Sequence, residues 1–303
     1  MSRYKLRANY DIENIDSQKM DGTVIVDVPM LSNGELNYGL SHIKKKLYEE
    51  NVYPSEIGFD IMSLATMVYM ADTRIERVVH GQDSWTREIE LEIPVSNVEI
   101  WDSQIRTVER MLKFLTGDLW KITLSSRAWQ FNNLEEVREK SNKYDEVSLF
   151  SGGMDSLIST INLMENKKNT LLISHAGEGL TKNAQKNIVN KFDLLYPDVL
   201  HTWLDLWMVF PRDYIPAGGN DNNTRSRSFL FIGYALFAMT GMDNINELLV
   251  PENGLIALNV PLDETRVGSF STRTTHPFYL SLWNELLAVS YTHLRAHETR
   301  SNL

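Results

Sequence analysis

The sequence predicts an α/β protein whose central feature is a parallel sheet with helices on both faces, preceded by a smaller α+β unit. Two observations predict it. From Val147 onward, short apolar runs alternate with longer segments of helical period, the pattern of strand–helix–strand units. Within Val147–Ser156 (VSLFSGGMDS), a buried strand, a tight turn and a helix start follow one another directly. In such sheets ligands sit beyond the carboxyl ends of the strands. The Ser-Gly-Gly turn is at such an end.

Each element has its own warrant. Val147, Leu149 and Phe150 give the first strand its apolar bias, and Asp155–Met164 is the first helix. Thr170–Ser174 (TLLIS) is the second strand; Thr181 then caps a helix carrying Ala184, Ile188 and Phe192 on one face. His201–Trp207 is a third strand and Glu247–Pro251 (ELLVP) a fourth. Between them Arg227–Met239 is apolar nearly all round, which predicts a buried helix.

The first part of the chain reads differently. Thr23–Val28 and Lys121–Ser125 predict strands, with a loop at Leu31–Gly34. Ile57, Ile61, Leu64, Ala65 and Val68 recur at helical spacing, so Ile57–Ala71 is a core helix. Trp85–Val95 sets Ile89, Leu91, Ile93 and Val95 against three glutamates, a half-exposed strand. Asp102 or Ser103 caps a helix bearing Ile105, Val108, Leu112 and Leu115, which stops at Thr116-Gly117-Asp118. Residues 1–140 carry no cluster of catalytic residue types, and their charges are expected on a solvated face. Their expected role is to hold a partner or to place a substrate for the second unit, 141–288. The polar stretch Asn132–Tyr144 is the boundary helix or linker.

Composition narrows the function classes. At 303 residues, 43% hydrophobic and 23% charged, the chain has room for two globular domains. A formal charge of −10 argues against a broad nucleic-acid-binding face. The greasiest run, Phe229–Met239, is eleven residues, too short for a membrane span, and the N-terminus lacks the apolar core of a signal peptide. Zero cysteines removes disulfides, thiolate zinc sites and cysteine nucleophiles together, so a cytoplasmic protein without membrane contact is expected.

The chemistry centres on the turn. Two glycines without Cβ atoms let main chain approach a ligand, and the turn is expected to leave several N–H groups pointing outward. The helix start adds partial positive charge, so the site suits a phosphate or pyrophosphate. It is neither a Walker A loop, which needs a lysine, nor a G-x-G-x-x-G dinucleotide motif.

Ser151-Gly152-Gly153-Met154-Asp155-Ser156 resembles the SGGxDS signature of the PP-loop ATP pyrophosphatases. The resemblance implies the PP-loop, adenine nucleotide alpha hydrolase-like (HUP) fold, with ATP split between its α and β phosphates. It implies that these six residues hold the pyrophosphate, with Asp155 positioning it or Mg²⁺ and with Asp155, Ser156 and Arg227 as the catalytic set. The segment after the second strand, His175-Ala176-Gly177, would lie against the adenosine. Thr224–Phe231 resembles the Arg-Asn-x-x-Phe-Leu run of the 7-cyano-7-deazaguanine synthases: Arg227 and Phe231 match, and Ser228 replaces the asparagine. Arg227 would meet ATP phosphates; Arg225 is either a second such contact or a solvated charge. The preceding Gly218–Asn223 is lid-like.

Further along, Glu252 and Asn253 follow the fourth strand, where they could face substrate or magnesium. Ser271, Thr272, Arg273, Thr274 and His276 bring hydroxyls, a guanidinium and an imidazole together, a set suited to an oxyanion or a polar heterocycle. The bland alternative is a loop that caps turns. Together SGGMDS, TRSRSFLF, PENG and STRTTHP resemble the synthase-like (QueC-like) proteins of bacterial anti-phage gene clusters, the QatC type, over roughly residues 145–285. The synthases themselves add a C-terminal cysteine zinc site that this sequence lacks. What the resemblance implies is therefore ATP-driven activation of a small-molecule carboxylate, with a 7-deazaguanine derivative as candidate, for transfer to an amine or a protein. Protein partners would come from the same defence operon.

Two other readings stand beside this one: a non-catalytic nucleotide-binding or scaffold subunit, and a PP-loop tRNA-modifying enzyme. The lack of cysteines disfavours sulfur transfer, and the acidic charge disfavours tRNA docking. Residues 289–303 follow a helix at Phe278–Leu287 without periodicity of their own. They resemble a translated sequencing-adapter tail, so an unpacked, non-native end is expected and the His293/His297 pair is not read as a zinc site.

Overall fold

The computed structural model describes residues 3–131, 140–175, 179–221, 225–243, 245–252, 273–290 and 295–298. Two five-stranded sheets organise them. The first has the order β2-β3-β1-β6-β7, formed by β1 (Arg3–Asn9), β2 (Asp16–Met20), β3 (Thr23–Pro29), β6 (Glu88–Val95) and β7 (Leu119–Ser126). Only β2 runs antiparallel to its neighbour; β3, β1, β6 and β7 are parallel. The first unit is thus closer to α/β than to the expected α+β. Strand β1 had no sequence warrant, because its charged residues mask the alternation. Tyr4, Leu6 and Ala8 are buried, while Arg3, Lys5 and Arg7 pair across the outer face with Glu88, with Glu90 and Glu92, and with Asp27.

The predicted loop at Leu31–Gly34 is a tight hairpin, β4 (Leu31–Ser32) to β5 (Glu35–Leu36), turning on Asn33-Gly34. Helix α1 (Leu40–Glu49) follows it, and the predicted core helix is α2 (Glu56–Arg74), capped by the Ser55 side chain. After the short α3 (Arg77–His80), the expected cap at Asp102 or Ser103 is not found. Asp102 ends a separate short helix, α4 (Val98–Asp102), and α5 (Ile105–Thr116) starts at Gln104 without a side-chain cap. Its end at Gly117, in the left-handed region, is where the sequence put it.

The second sheet has the order β10-β9-β8-β11-β12 and is parallel throughout. It contains β8 (Glu146–Leu149), β9 (Thr170–His175), β10 (His201–Leu206), β11 (Glu247–Val250) and β12 (Arg295–Glu298). Helices α6 (Met154–Glu165) and α7 (Gly179–Leu195) cover one face through Leu157, Ile161, Val189 and Phe192, packed on Phe150 and Leu172. Helix α7 begins before Thr181, which is not its cap. The opposite face takes α8 (Arg227–Met239), buried from Phe229 to Met239 except at Phe231. Helix α9 (Pro277–Ser290) packs on α5. The tail expected to be unpacked supplies β12, paired in register with β11.

The two sheets do not have separate cores. Helix α2 lies on β1 and β6 with one side and on α8 with the other, and α8 lies on β8 and β9. The layers therefore run sheet, helix, helix, sheet, and one apolar cluster passes through all of them. Small residues set the crossing. A Cβ on Gly58 would stand 2.3 Å from Thr240 Oγ1, and one on Gly233 would stand 2.9 Å from the Ala65 Cβ. No helix among the described residues is long and apolar enough to cross a membrane.

The expectation of solvated charges fails at two places in the first unit. Asp72, Asp118 and Arg87 are buried, Arg77 nearly so, and they pair with one another. Asp60, also buried, accepts from the Ser96 N–H and hydroxyl, from Trp101 Nε1 and from Arg127. Burial pushes the Asp118 carboxyl up, but the Arg87 and Arg77 guanidiniums outweigh it and hold it below the usual carboxylate range. Charges persist inside because each of these buried carboxylates meets several donors.

Candidate functional site

The sheet order places the site. Chain order runs outward from β8 through β9 to β10, then returns across the sheet to β11 on the other side of β8. The crevice beyond the carboxyl ends of β8 and β11 is the point where the winding reverses, which is where open α/β sheets take their ligands. The Ser-Gly-Gly turn follows β8, and Glu252 stands two residues beyond β11. Burial, and then the nearby Asp155 carboxylate, raise the Glu252 carboxyl above its ordinary range. The two acids thus stand at the ends of neighbouring strands, Asp155 after β8 and Glu252 after β11.

The turn is more self-contained than the sequence predicts. Gly152 sits at φ +81°, with Gln185 Cγ 2.9 Å from where a Cβ would be, so only glycine fits there without strain. Its N–H donates to Ser156 Oγ at 3.1 Å, and the Gly153 N–H donates to Ser151 Oγ at 3.3 Å. The Ser156 hydroxyl donates to the Gly153 carbonyl at 2.9 Å. The expectation of outward glycine amides is thus corrected: loop hydroxyls occupy both, and buried Ser156 locks the turn from inside. Among the described residues, the donors that remain are the first-turn amides of α6, at Met154, Asp155 and Ser156. The helix has no side-chain cap, and Leu157 makes the first bond back, to Gly153 O at 3.0 Å. Ser151, Gly153, Met154 and Asp155 are exposed on this rim.

Arg227 opens α8 and its Nη2 donates to the His175 carbonyl at 2.8 Å, which puts a guanidinium beside the end of β9. His175 itself points inward. Its ring lies 5.9 Å from both Tyr69 and Tyr234, and neither ring nitrogen has a hydrogen-bond partner among the described residues. Burial, and then Arg227, push its pKa down to about 4, so the imidazole is neutral at physiological pH. Its side chain is a core group, and only its backbone reaches the rim.

Several predicted residues lie elsewhere. Arg225 donates to the Thr116 carbonyl at 2.8 Å and stacks over Trp85; Arg273 donates to the Phe114 carbonyl at 2.9 Å. Both guanidiniums therefore sit on the carboxyl end of α5, where they complement its dipole. His276 accepts the Phe278 N–H at 3.1 Å at the start of α9 and packs on Phe114. Thr274 is half-buried in the same turn. Arg273 and His276 thus make contacts at the end of α5 and the start of α9. The lid expected at Gly218–Asn223 is pinned over its described part, since Gly218 O accepts the Glu76 N–H at 2.7 Å and Asp221 pairs with Arg77. Ala176, Gly177, Asn253, Ser271 and Thr272 lie outside the described residues.

Sequence reasoning missed Gln185, whose Nε2 donates to the Ser151 carbonyl at 3.0 Å and braces the turn. Its only signal was a polar residue beside the apolar stripe of α7. It also missed Asp72, which accepts the Ser226 N–H at 2.9 Å. Among the described residues, no three histidine or acidic side chains converge as a metal cluster.

No protein-family model matches the chain, and no curated protein sequence matches it. Among solved structures, a weak similarity is to a crystal structure of a ketoreductase domain from the bacillaene assembly line. It has 6% identity and a TM-score of 0.25, and covers 97% of this chain and 78% of that one. A likeness at that level carries no argument.

Proposed function

We propose that this protein binds ATP in the crevice between β8 and β11 and uses it to adenylate a carboxylate, releasing pyrophosphate and then AMP. The observation that carries the reading is the strand order. It brings the SGGMDS turn, the uncapped start of α6 and Glu252 to one reversal point, and Arg227 stands at the neighbouring strand end. The resemblance to PP-loop proteins of the HUP type, and within them to the 7-deazaguanine synthase-like proteins of anti-phage clusters, supplies the reaction class.

The residues fit that chemistry. The amides of Met154, Asp155 and Ser156 and the dipole of α6 suit the pyrophosphate, and Arg227 offsets its growing charge. Asp155 and Glu252, the acids at the ends of the two central strands, are the residues that would hold magnesium, which supplies charge neutralisation at phosphate oxygens. A carboxylate oxygen of the substrate attacks the α-phosphorus. The bond to the α–β bridging oxygen breaks, and pyrophosphate leaves with the electron pair. An amine then attacks the activated acyl carbon and displaces AMP. A 7-deazaguanine carboxylate is the candidate acid, the amine belongs to a small molecule or a protein partner, and the setting is cytoplasmic.

The test is incubation with ATP, Mg²⁺ and 7-carboxy-7-deazaguanine, reading nucleotide products. AMP and pyrophosphate are expected, with turnover reduced about a hundredfold or more in Asp155→Asn; ADP as product would exclude α–β cleavage. The occupied glycine amides favour one second reading, a subunit that binds nucleotide without turning it over. That reading predicts ATP binding, no AMP, and full biological activity in Asp155→Asn.

A further inference from the structure

The first unit holds the segment that leads from β10 into α8. The connection from β10 to α8 is long, and the first unit anchors it repeatedly. Arg74 donates from Nε and Nη2 to the carbonyls of Pro211 and Phe210, each at 2.8 Å. The Tyr4 hydroxyl donates to Ala217 O at 2.9 Å, and the Glu76 N–H donates to Gly218 O at 2.7 Å. The Asp221 N–H donates to Thr73 O at 3.0 Å. The last anchor is the Ser226 N–H on Asp72 Oδ2 at 2.9 Å, immediately before Arg227.

Asp72 is fully buried, and its other oxygen pairs with Arg87 Nη2 at 2.5 Å. Arg87 in turn holds Asp118 at 2.7 Å, which Arg77 holds at 2.6 Å. The carboxylate that fixes the start of α8 is thus itself fixed by a closed ionic network. A network whose members are all satisfied is rigid, because any rotation leaves a buried charge unpaired. Such rigidity is what a group aimed at a ligand needs from its support.

From this geometry we infer that Asp72 is a positioning residue for Arg227: the first unit is a platform that presents the Arg227 guanidinium to an anion bound in the crevice. The inference rests on the nucleotide reading for the identity of that anion. The position of Arg227 follows from the Asp72–Ser226 bond, and the network of Arg77, Arg87 and Asp118 maintains that bond.

Two variants test it in the full chain. Ser226→Pro removes the donor while keeping all four charges of the network; the native φ of −83° at Ser226 is near that of proline. Asp72→Asn removes the charge. ATP affinity is measured in wild type, in each variant, in Arg227→Ala and in the double variants. About a tenfold loss is expected for Ser226→Pro, and no further loss once Arg227 is alanine. Additive losses would show a merely structural bond and overturn the inference.

Hydrogen exchange at residues 229–232, with β6 and β8 as references, reads the platform without nucleotide. About tenfold or faster exchange confined to the start of α8 is expected in both variants. Unchanged exchange overturns the inference. Faster exchange in a protein whose wild type binds no ATP would instead refute the nucleotide reading and leave the platform standing.

Discussion

His175 illustrates how one residue can stand beside a site and still serve the core. Its carbonyl receives Arg227, while its ring is buried with neither nitrogen bonded among the described residues. The folded imidazole titrates at about 4, against 6.5 in an unperturbed chain. Between those values the unfolded state binds the extra proton, so stability falls as the pH drops through that window and is fully present above it. This group alone should cost on the order of 3 kcal/mol between pH 7 and pH 4. Urea denaturation of His175→Gln at both pH values checks it: the variant should lose less stability on acidification than the wild type. Equal losses would mean that the ring is not the titrating group.

The element that decides the architecture is the α2–α8 pair. Two helices approach closely only where side chains are small, and here Gly58 meets Thr240 while Ala65 meets Gly233. Thr240 also accepts the Ser55 N–H at 3.0 Å, so the cap of α2 and the end of α8 share one hydroxyl. Gly58→Val should overpack this crossing and destabilise the protein by about 1–3 kcal/mol. Because α8 carries Arg227 at its other end, the same change should also weaken the ATP binding proposed above. Chemical denaturation and nucleotide titration of the one variant read the two effects separately.

At the scale of the molecule, the common core means that neither sheet buries its inner helix without the other. The intact 303-residue chain should unfold in one transition, with circular dichroism and tryptophan fluorescence coinciding. Fragments 1–140 and 141–303 expressed apart should each expose an apolar helix face and fail to give dispersed spectra. Two separate transitions in the intact chain would contradict the shared core. This arrangement also accounts for one of the two buried ionic groups in the first unit. Asp72, Arg77, Arg87 and Asp118 lie where that unit meets the connection into α8, through Ser226 and Asp221, whereas Asp60 and Arg127 are bonded within the unit itself.

The strands and helices of residues 147–250 were legible because apolar period and glycine placement are local properties. The VSLFSGGMDS run alone specified strand, turn and helix, and the apolar circumference of Arg227–Met239 specified a buried helix. Sheet order was not local, nor was the fate of polar side chains. Ser156 and Arg225 are of residue types that could bind phosphate, yet one closes its own turn and the other caps α5. A hydroxyl or a guanidinium goes to whichever partner the fold brings within about 3 Å. The sequence by itself determined where the chain makes its strand–turn–helix bend. Only the tertiary structure decided which donors are left to meet one, because burial and partnership depend on segments far apart in the chain.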